Sequence, residues 1–407
     1  MHASGNPLND PRLRAVLAHD ARRQLAFFRR SLNAQRGFDT LDHDGAPVPG
    51  QPQELHATTR MVHAYAMAKL WGEPDCDAII DAGMACLWTR HRDRLHGGYV
   101  WGLSQAGVSD ATKLAYGHVF VLLAASSALA AGHEDAERLL SDVEQIIAQH
   151  FLEPDTGLLA DEFARHWAPF SEYRGMNANM HGVEAMLAAF EATGSEIYLQ
   201  RAGRILDFFT ARMAPVHGWR IPEHYTSGWQ VDPDYAGNPM FRPSGTTPGH
   251  SLEFARLLLH HWDLAGRPGS DAVTRARALV ETALADAWLP QGGVAYTLDL
   301  QGRVDVADRY WWPVTEAIGA MAALLKCDPQ PRDADWYRRL WDFAQAHFID
   351  HDRGGWFPEI DAAGAPVSHQ FTGKPDIYHA LQADLLPLLP GLSRPMQELA
   401  ALGAAPR

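Results

Sequence analysis

Gly292-Gly293-Val294-Ala295-Tyr296-Thr297-Leu298-Asp299-Leu300-Gln301-Gly302 reads as a glycine pair, a short strand and an Asp-x-x-Gly turn. An aspartate folds back onto the backbone two residues on, and a glycine accepts the left-handed turn conformation. The segment therefore predicts a small β-hairpin. The same design recurs at Gly37-Phe38, Gly97-Gly98-Tyr99, Gly157-Leu158, Gly218-Trp219 and Gly354-Gly355-Trp356. Taken in chain order, the first glycines of the six segments are 60, 60, 61, 74 and 62 residues apart. Self-similarity at a fixed period marks a repeat architecture. It overrides chain length, which alone suggests two or three domains for 407 residues.

Alanine- and leucine-rich segments of helical periodicity fill the intervals. One set follows the hairpins, at 64–71, 119–131, 183–192, 252–262, 317–325 and 380–389. A second set precedes them, at 13–32, 77–91, 136–150, 198–213, 271–287 and 336–348. Six copies of helix, hairpin, helix predict an all-α (α/α)6 barrel with short β-hairpins between the helix pairs. The expectation is a single domain over residues 1–407, with the repeats at about 12–390. An open helical solenoid is the competing arrangement. The long fourth step adds a Pro- and Gly-rich loop, 225–249, expected over the barrel mouth.

A net charge of −14, from 49 acidic and 35 basic residues, argues against nucleic acid or an anionic membrane as partner. The 13 Trp, 11 Tyr and 16 Phe would suit a cleft that stacks sugar faces, although large cores also use aromatic residues. Cys76, Cys86 and Cys327 are odd in number and lack metal-type spacing, so no disulfide framework or zinc motif is expected. The polar N-terminus is not followed by a long apolar run, and the expected location is the cytoplasm.

In an inner ring, the helices after the hairpins would start near the cavity. Their starts carry Arg60, Tyr116 with His118, Asn177 with His181, His250 with Glu253, Trp312 with Glu316, and His379. One polar residue at a matching place in each repeat predicts a ring of inward side chains. His118 reads as a satisfied structural histidine, because Tyr116 beside it is as good a candidate. His250 and Glu253 are three apart and share a helix face, where a carboxylate can fix an imidazole tautomer. Two rival site readings stay open. Glu253 and Glu316 could serve a glycoside hydrolase, which needs two carboxylates. His181, His250 and His379 could bind a metal. A non-catalytic sugar-binding protein is the remaining class.

Four motifs resemble the N-acylglucosamine 2-epimerase superfamily: 173–181 (Tyr-Arg-Gly-Met-Asn-Ala-Asn-Met-His), 248–253 (Pro-Gly-His-Ser-Leu-Glu), 311–317 (Trp-Trp-Pro-Val-Thr-Glu-Ala) and 374–380 (Lys-Pro-Asp-Ile-Tyr-His-Ala). The resemblance runs from about Arg36 to Pro390 and itself implies an (α/α)6 barrel. The segment 374–383 is similar to the aldose–ketose isomerase branch of that superfamily, whereas Trp311-Trp312-Pro313 is shared with true epimerases. The resemblance implies cofactor-independent interconversion of D-mannose and D-fructose through an enediol, on a monosaccharide and without metal. A sugar 2-epimerase or a sulfoquinovose isomerase is the alternative. By resemblance His250 and His379 are the acid/base pair, Glu253 orients His250, and Arg60 stabilises the enediolate. Tyr116, Asn177, His181 and Glu316 would hold hydroxyls, with Trp312 as a hydrophobic wall. The oligomeric state is left open.

Overall fold

The computed structural model describes residues 5–235, 237 and 242–404. Part of the 225–249 loop expected over a barrel mouth therefore lies outside the described residues, as do 1–4 and 405–407. The helices run α1 (Pro11–Phe28), α2 (Leu55–Leu70), α3 (Asp77–Cys86), α4 (Ala115–Ala130), α5 (Ala136–Ile146), α6 (Met176–Thr193) and α7 (Glu196–Leu206). Then follow a single turn, α8 (Ala214–Val216), and α9 (Pro248–Leu264), α10 (Asp271–Ala287), α11 (Trp311–Cys327), α12 (Pro331–His347), α13 (Tyr378–Leu388) and α14 (Pro395–Gly403). No helix among the described residues is long and apolar enough to cross a membrane.

The chain divides into two compact units. One comprises Arg29–Phe208, Glu223–Tyr235 and Met396–Arg407. In it α4 packs between α2 and α6; α3 backs α2, α5 backs α4 and α7 backs α6. The other comprises Met1–Phe28, Phe209–Pro222 and Ala236–Pro395. In it α11 packs between α9 and α13, with α10, α12 and α1 behind them. Each unit thus carries three of the six expected helix pairs. The backing helices are amphipathic: α5 buries Leu139, Leu140, Val143 and Ile146 and leaves its other face polar. The helices they cover are apolar nearly all round, as α4 is from Gly117 to Ala128.

The central helices begin two to nine residues before their apolar-periodic segments, α2 at Leu55 rather than Ala64 and α11 at Trp311 rather than Ala317. Their first turns are polar, which hid them from a reading by hydrophobic period. The helices α3, α5 and α7 run on into π-helical turns, Leu87–His91, Ile147–Phe151 and Asp207–Met213.

The glycine segments do form turns, but their strands also reach the next repeat. Gln53 pairs with Leu103, Lys113 with Phe163, and Arg174 with Tyr225 in one unit; Arg309 pairs with Ile360 in the other. In four of these helices the first N–H then donates to the neighbouring hairpin. Leu55 donates to Trp101 O at 2.8 Å, Ala115 to Asp161 O at 2.8 Å, Met176 to Glu223 O at 3.0 Å and Trp311 to Pro358 O at 3.2 Å. A helix start has orphan donors; here one of them fixes where the first turn sits.

Two buried lysines reinforce the joints. Lys113 Nζ donates to Asp93 at 3.2 Å and to Gly97 O at 2.7 Å; Lys374 Nζ donates to Asp350 and to Gly354 O, both at 2.7 Å. Desolvation lowers Lys113 to about 8 against the pull of Asp93. The lysine that opens the 374–383 motif is thus a structural anchor.

Candidate active site

Counted from the start of each central helix, the second residues in the α2–α7 unit are His56, Tyr116 and Asn177, and the sixth are Arg60, Phe120 and His181. In the α9–α13 unit the second residues are Gly249, Trp312 and His379, and the sixth are Glu253, Glu316 and Ala383. Residues four apart lie on one helix face. Eight of the nine expected site residues occupy these two positions, and His250 follows at the third of α9. His118, at the fourth of α4, is the predicted structural histidine. Its Nδ1 donates to Leu114 O at 2.7 Å, its Nε2 accepts from Tyr99 N at 3.0 Å, and burial lowers its pKa to about 3.

The α9–α13 unit gathers both site histidines around one indole. The Trp312 ring lies 4.9 Å from His250 and 5.9 Å from His379 between centroids. Gly249 permits this approach, because a Cβ there would stand 2.4 Å from Trp312 Cζ3. His379 Nδ1 is 2.8 Å from Glu316 Oε1. The other oxygen, Glu316 Oε2, accepts from Arg256 Nη2 at 3.0 Å and Nε at 3.2 Å. Burial alone would raise the Glu316 carboxyl, but Arg256 and then His379 hold it down at about 2. An ionised carboxylate only accepts hydrogen bonds. His379 Nδ1 therefore carries a hydrogen, and when the ring is neutral the lone pair is on Nε2.

Two of the expected site residues lie deep in this cluster. Glu316, expected to hold a sugar hydroxyl, is engaged by His379 and Arg256 and is only 2% exposed. Glu253, expected to orient His250, is fully buried with its Oε1 3.5 Å from Arg256 Nη2. Glu316 is the carboxylate in contact with His379 Nδ1. Ligand atoms of Glu253, Glu316 and His379 lie within 4.8 Å of one another, a spacing a metal could use. The Arg256 guanidinium already supplies the cation for both carboxylates.

The α2–α7 unit carries a polar and aromatic cluster at its helix starts. Arg60 Nη2 donates to Tyr116 Oη at 3.0 Å, and its guanidinium lies 4.5 Å above the Phe120 ring. His181 packs on Tyr116 and Phe120, at 5.3 and 4.7 Å, with its Nδ1 3.9 Å from Glu184. His56 stacks on Trp101 at 5.1 Å, and both rings approach Tyr116. Asn177 Oδ1 is buried and has no hydrogen-bond partner among the described residues. A buried carbonyl without a donor is costly, and a ligand hydroxyl would satisfy it. Its neighbour Asn179 differs: its amide is spent on the backbone of Leu159 and Gly175. Sequence reading missed His56, Phe120, Trp101 and Arg256. Counting from helix starts rather than from glycines finds the first two.

The sequence profile of the N-acylglucosamine 2-epimerase (GlcNAc 2-epimerase) family matches residues 37–383. D-mannose isomerase from Thermobifida fusca is 42% identical over 384 residues, which cover 93% of this chain and 94% of that protein. D-mannose isomerase from Pseudomonas cannabina pv. alisalensis is 40% identical, with 96% of each covered. A crystal structure of a D-mannose isomerase superposes with a TM-score of 0.86 at 32% identity, over 92% of this chain and 97% of that one. Cellobiose 2-epimerase from Spirochaeta thermophila shares the fold, with a TM-score of 0.81 at 20% identity over 95% and 98% of the two chains.

Proposed function

The chain belongs to the N-acylglucosamine 2-epimerase family, and from that premise we propose that it interconverts D-mannose and D-fructose. The observation that carries the reading is the ionised Glu316 on His379 Nδ1, beside a Trp312 indole flanked by a second histidine. The relatives named above supply the sugar.

The C2 proton of an open-chain aldose is acidified by the C1 carbonyl. His379 Nε2 takes that proton, leaving an enediolate spread over C1, C2 and their oxygens. Return of a proton to C1 and transfer of the O2 hydroxyl proton to O1 complete the ketose, with O2 as its carbonyl oxygen. Imidazole suits both halves because its ordinary pKa lies near neutrality. Glu316 keeps the lone pair on the outward nitrogen and stabilises the imidazolium once formed. His250 serves ring opening and the movement of protons among the sugar oxygens. Trp312 offers its face to sugar C–H groups between the two imidazoles. The family resemblance assigns Arg60 to the enediolate and Tyr116, Asn177 and His181 to hydroxyls. Their kinetics as single variants test those assignments. No step calls for a redox cofactor.

Incubating EDTA-treated protein with D-mannose, sulfoquinovose, N-acetylglucosamine and cellobiose, and reading products by NMR, tests the proposal. Fructose from mannose is expected. N-acetylmannosamine from N-acetylglucosamine, with no fructose, would overturn it. His379→Ala and His250→Ala are each expected to cost about 10²- to 10⁴-fold in turnover while staying folded.

A further inference from the structure

Arg256 lies outside every motif singled out in the sequence, yet it is 3% exposed and meets two carboxylates of the α9–α13 cluster. It sits three residues beyond Glu253, one turn deeper along α9. Room for it is made from α11: a Cβ on Gly319 would come 3.0 Å from Arg256 Cδ. Contacts then run from α9 through α11 to α13, as Arg256 Nη2 to Glu316 Oε2 at 3.0 Å and Glu316 Oε1 to His379 Nδ1 at 2.8 Å. Around the guanidinium stand Glu253 and His260 on α9, Glu316 on α11, and His379 through Glu316; Lys326 of α11 acts on the same His260. His260 brings no charge, since burial, then Arg256, then Lys326 push its imidazole well below the usual range.

We infer that Arg256 is a positioning residue for the isomerisation, fixing the tautomer of His379 by keeping Glu316 ionised. The inference rests on His379 being the base proposed above. Its logic is a charge count. Glu253 and Glu316 are both buried, and two buried carboxylates without a cation cannot both stay ionised at neutral pH. If Glu316 takes up a proton, it becomes a donor. His379 Nδ1 then accepts, the ring hydrogen moves to Nε2, and the lone pair no longer faces outward for C2.

Wild type, Arg256→Met, Arg256→Lys, Glu316→Gln and the Met/Gln double variant are compared for kcat, KM and the pH dependence of kcat. Arg256→Met is expected to lower kcat about 10- to 100-fold, with KM changed less than kcat. Its activity should recover as pH rises, because deprotonation of the stranded carboxylates restores the acceptor. Arg256→Lys keeps the charge but not the two-pronged contact, and should fall between wild type and Arg256→Met. The double variant should be no slower than Glu316→Gln alone, since both changes act through one carboxylate. In ¹⁵N spectra, the His379 resonances, assigned by loss in His379→Ala, should show Nδ1–H in wild type and Nε2–H in Arg256→Met.

A folded Arg256→Met enzyme with wild-type kcat and pH profile would overturn the inference. So would losses that multiply in the double variant. If Arg256→Met does not fold, Arg256→Lys decides: a wild-type ¹⁵N pattern with an unchanged pH profile and a simple loss of folded protein would assign Arg256 to stability alone. A wild-type enzyme that leaves mannose untouched refutes the proposed function instead.

Discussion

Replacing Glu316 by Gln keeps the shape of the side chain and removes its charge. In the wild type the carboxylate accepts from Arg256 twice and from His379 once, all within 3.2 Å and all buried. Folding lowers its pKa from 4.5 to about 2. The sign follows from a depressed acid: the contribution is complete above the unfolded value near 4.5 and disappears as pH falls toward 2. Breaking a buried pair and stranding one partner typically costs about 3–5 kcal/mol. Glu316→Gln should therefore lose about 3–5 kcal/mol in urea unfolding at pH 7. The deficit should shrink steadily below pH 4. Turnover should drop as well, because the amide N–H can donate to His379 Nδ1 and reverse its tautomer. Equal urea midpoints at pH 7 together with an unchanged kcat would refute the reasoning.

Two further outcomes concern groups away from the reaction. Asp384 is fully buried on α13, against Gln24 of α1, with Asp20 nearby. Burial first and Asp20 second push its carboxyl well above the usual range. A raised acid costs stability as pH climbs past its unfolded value, so Asp384→Asn should be more stable than wild type at pH 7 and indistinguishable near pH 3, read from thermal midpoints. Lys374→Met leaves Asp350 buried without its cation and should lose about 3–5 kcal/mol of stability. Turnover per folded molecule should be preserved, since Lys374 anchors the joint before α13.

Six hairpin signals at a near-constant step made the helix pairing readable, because turn chemistry is local and depends on few residues. The starts of the central helices were not. Each opens with a polar or aromatic turn, such as Leu55-His56-Ala57-Thr58-Thr59-Arg60, whose hydrophobic period is broken by the residues that make the cluster. The strand pairing from one repeat to the next escaped for another reason: it joins residues such as Arg174 and Tyr225, about 50 positions apart, and leaves no local pattern. Site residues were legible as types, and eight of nine fall on the two helix positions that recur. Their pairing was less so. Proximity in sequence suggested Glu253 for His250, while the packing of α11 on α13 brings Glu316 to His379 from 63 residues away. Arg256 was invisible because an arginine in an apolar helix reads as a solvated side chain until both neighbouring carboxylates are in view.

The central claim is that His379, held by Glu316, removes the C2 proton. Following D-mannose deuterated at C2 by NMR, with wild type and with His379→Ala, tests it directly. Wild type should yield fructose with the label passed to C1 or lost to water, and with a slowed rate relative to unlabelled mannose. His379→Ala should leave the label at C2. Loss of the C2 label at the wild-type rate in His379→Ala would contradict the account.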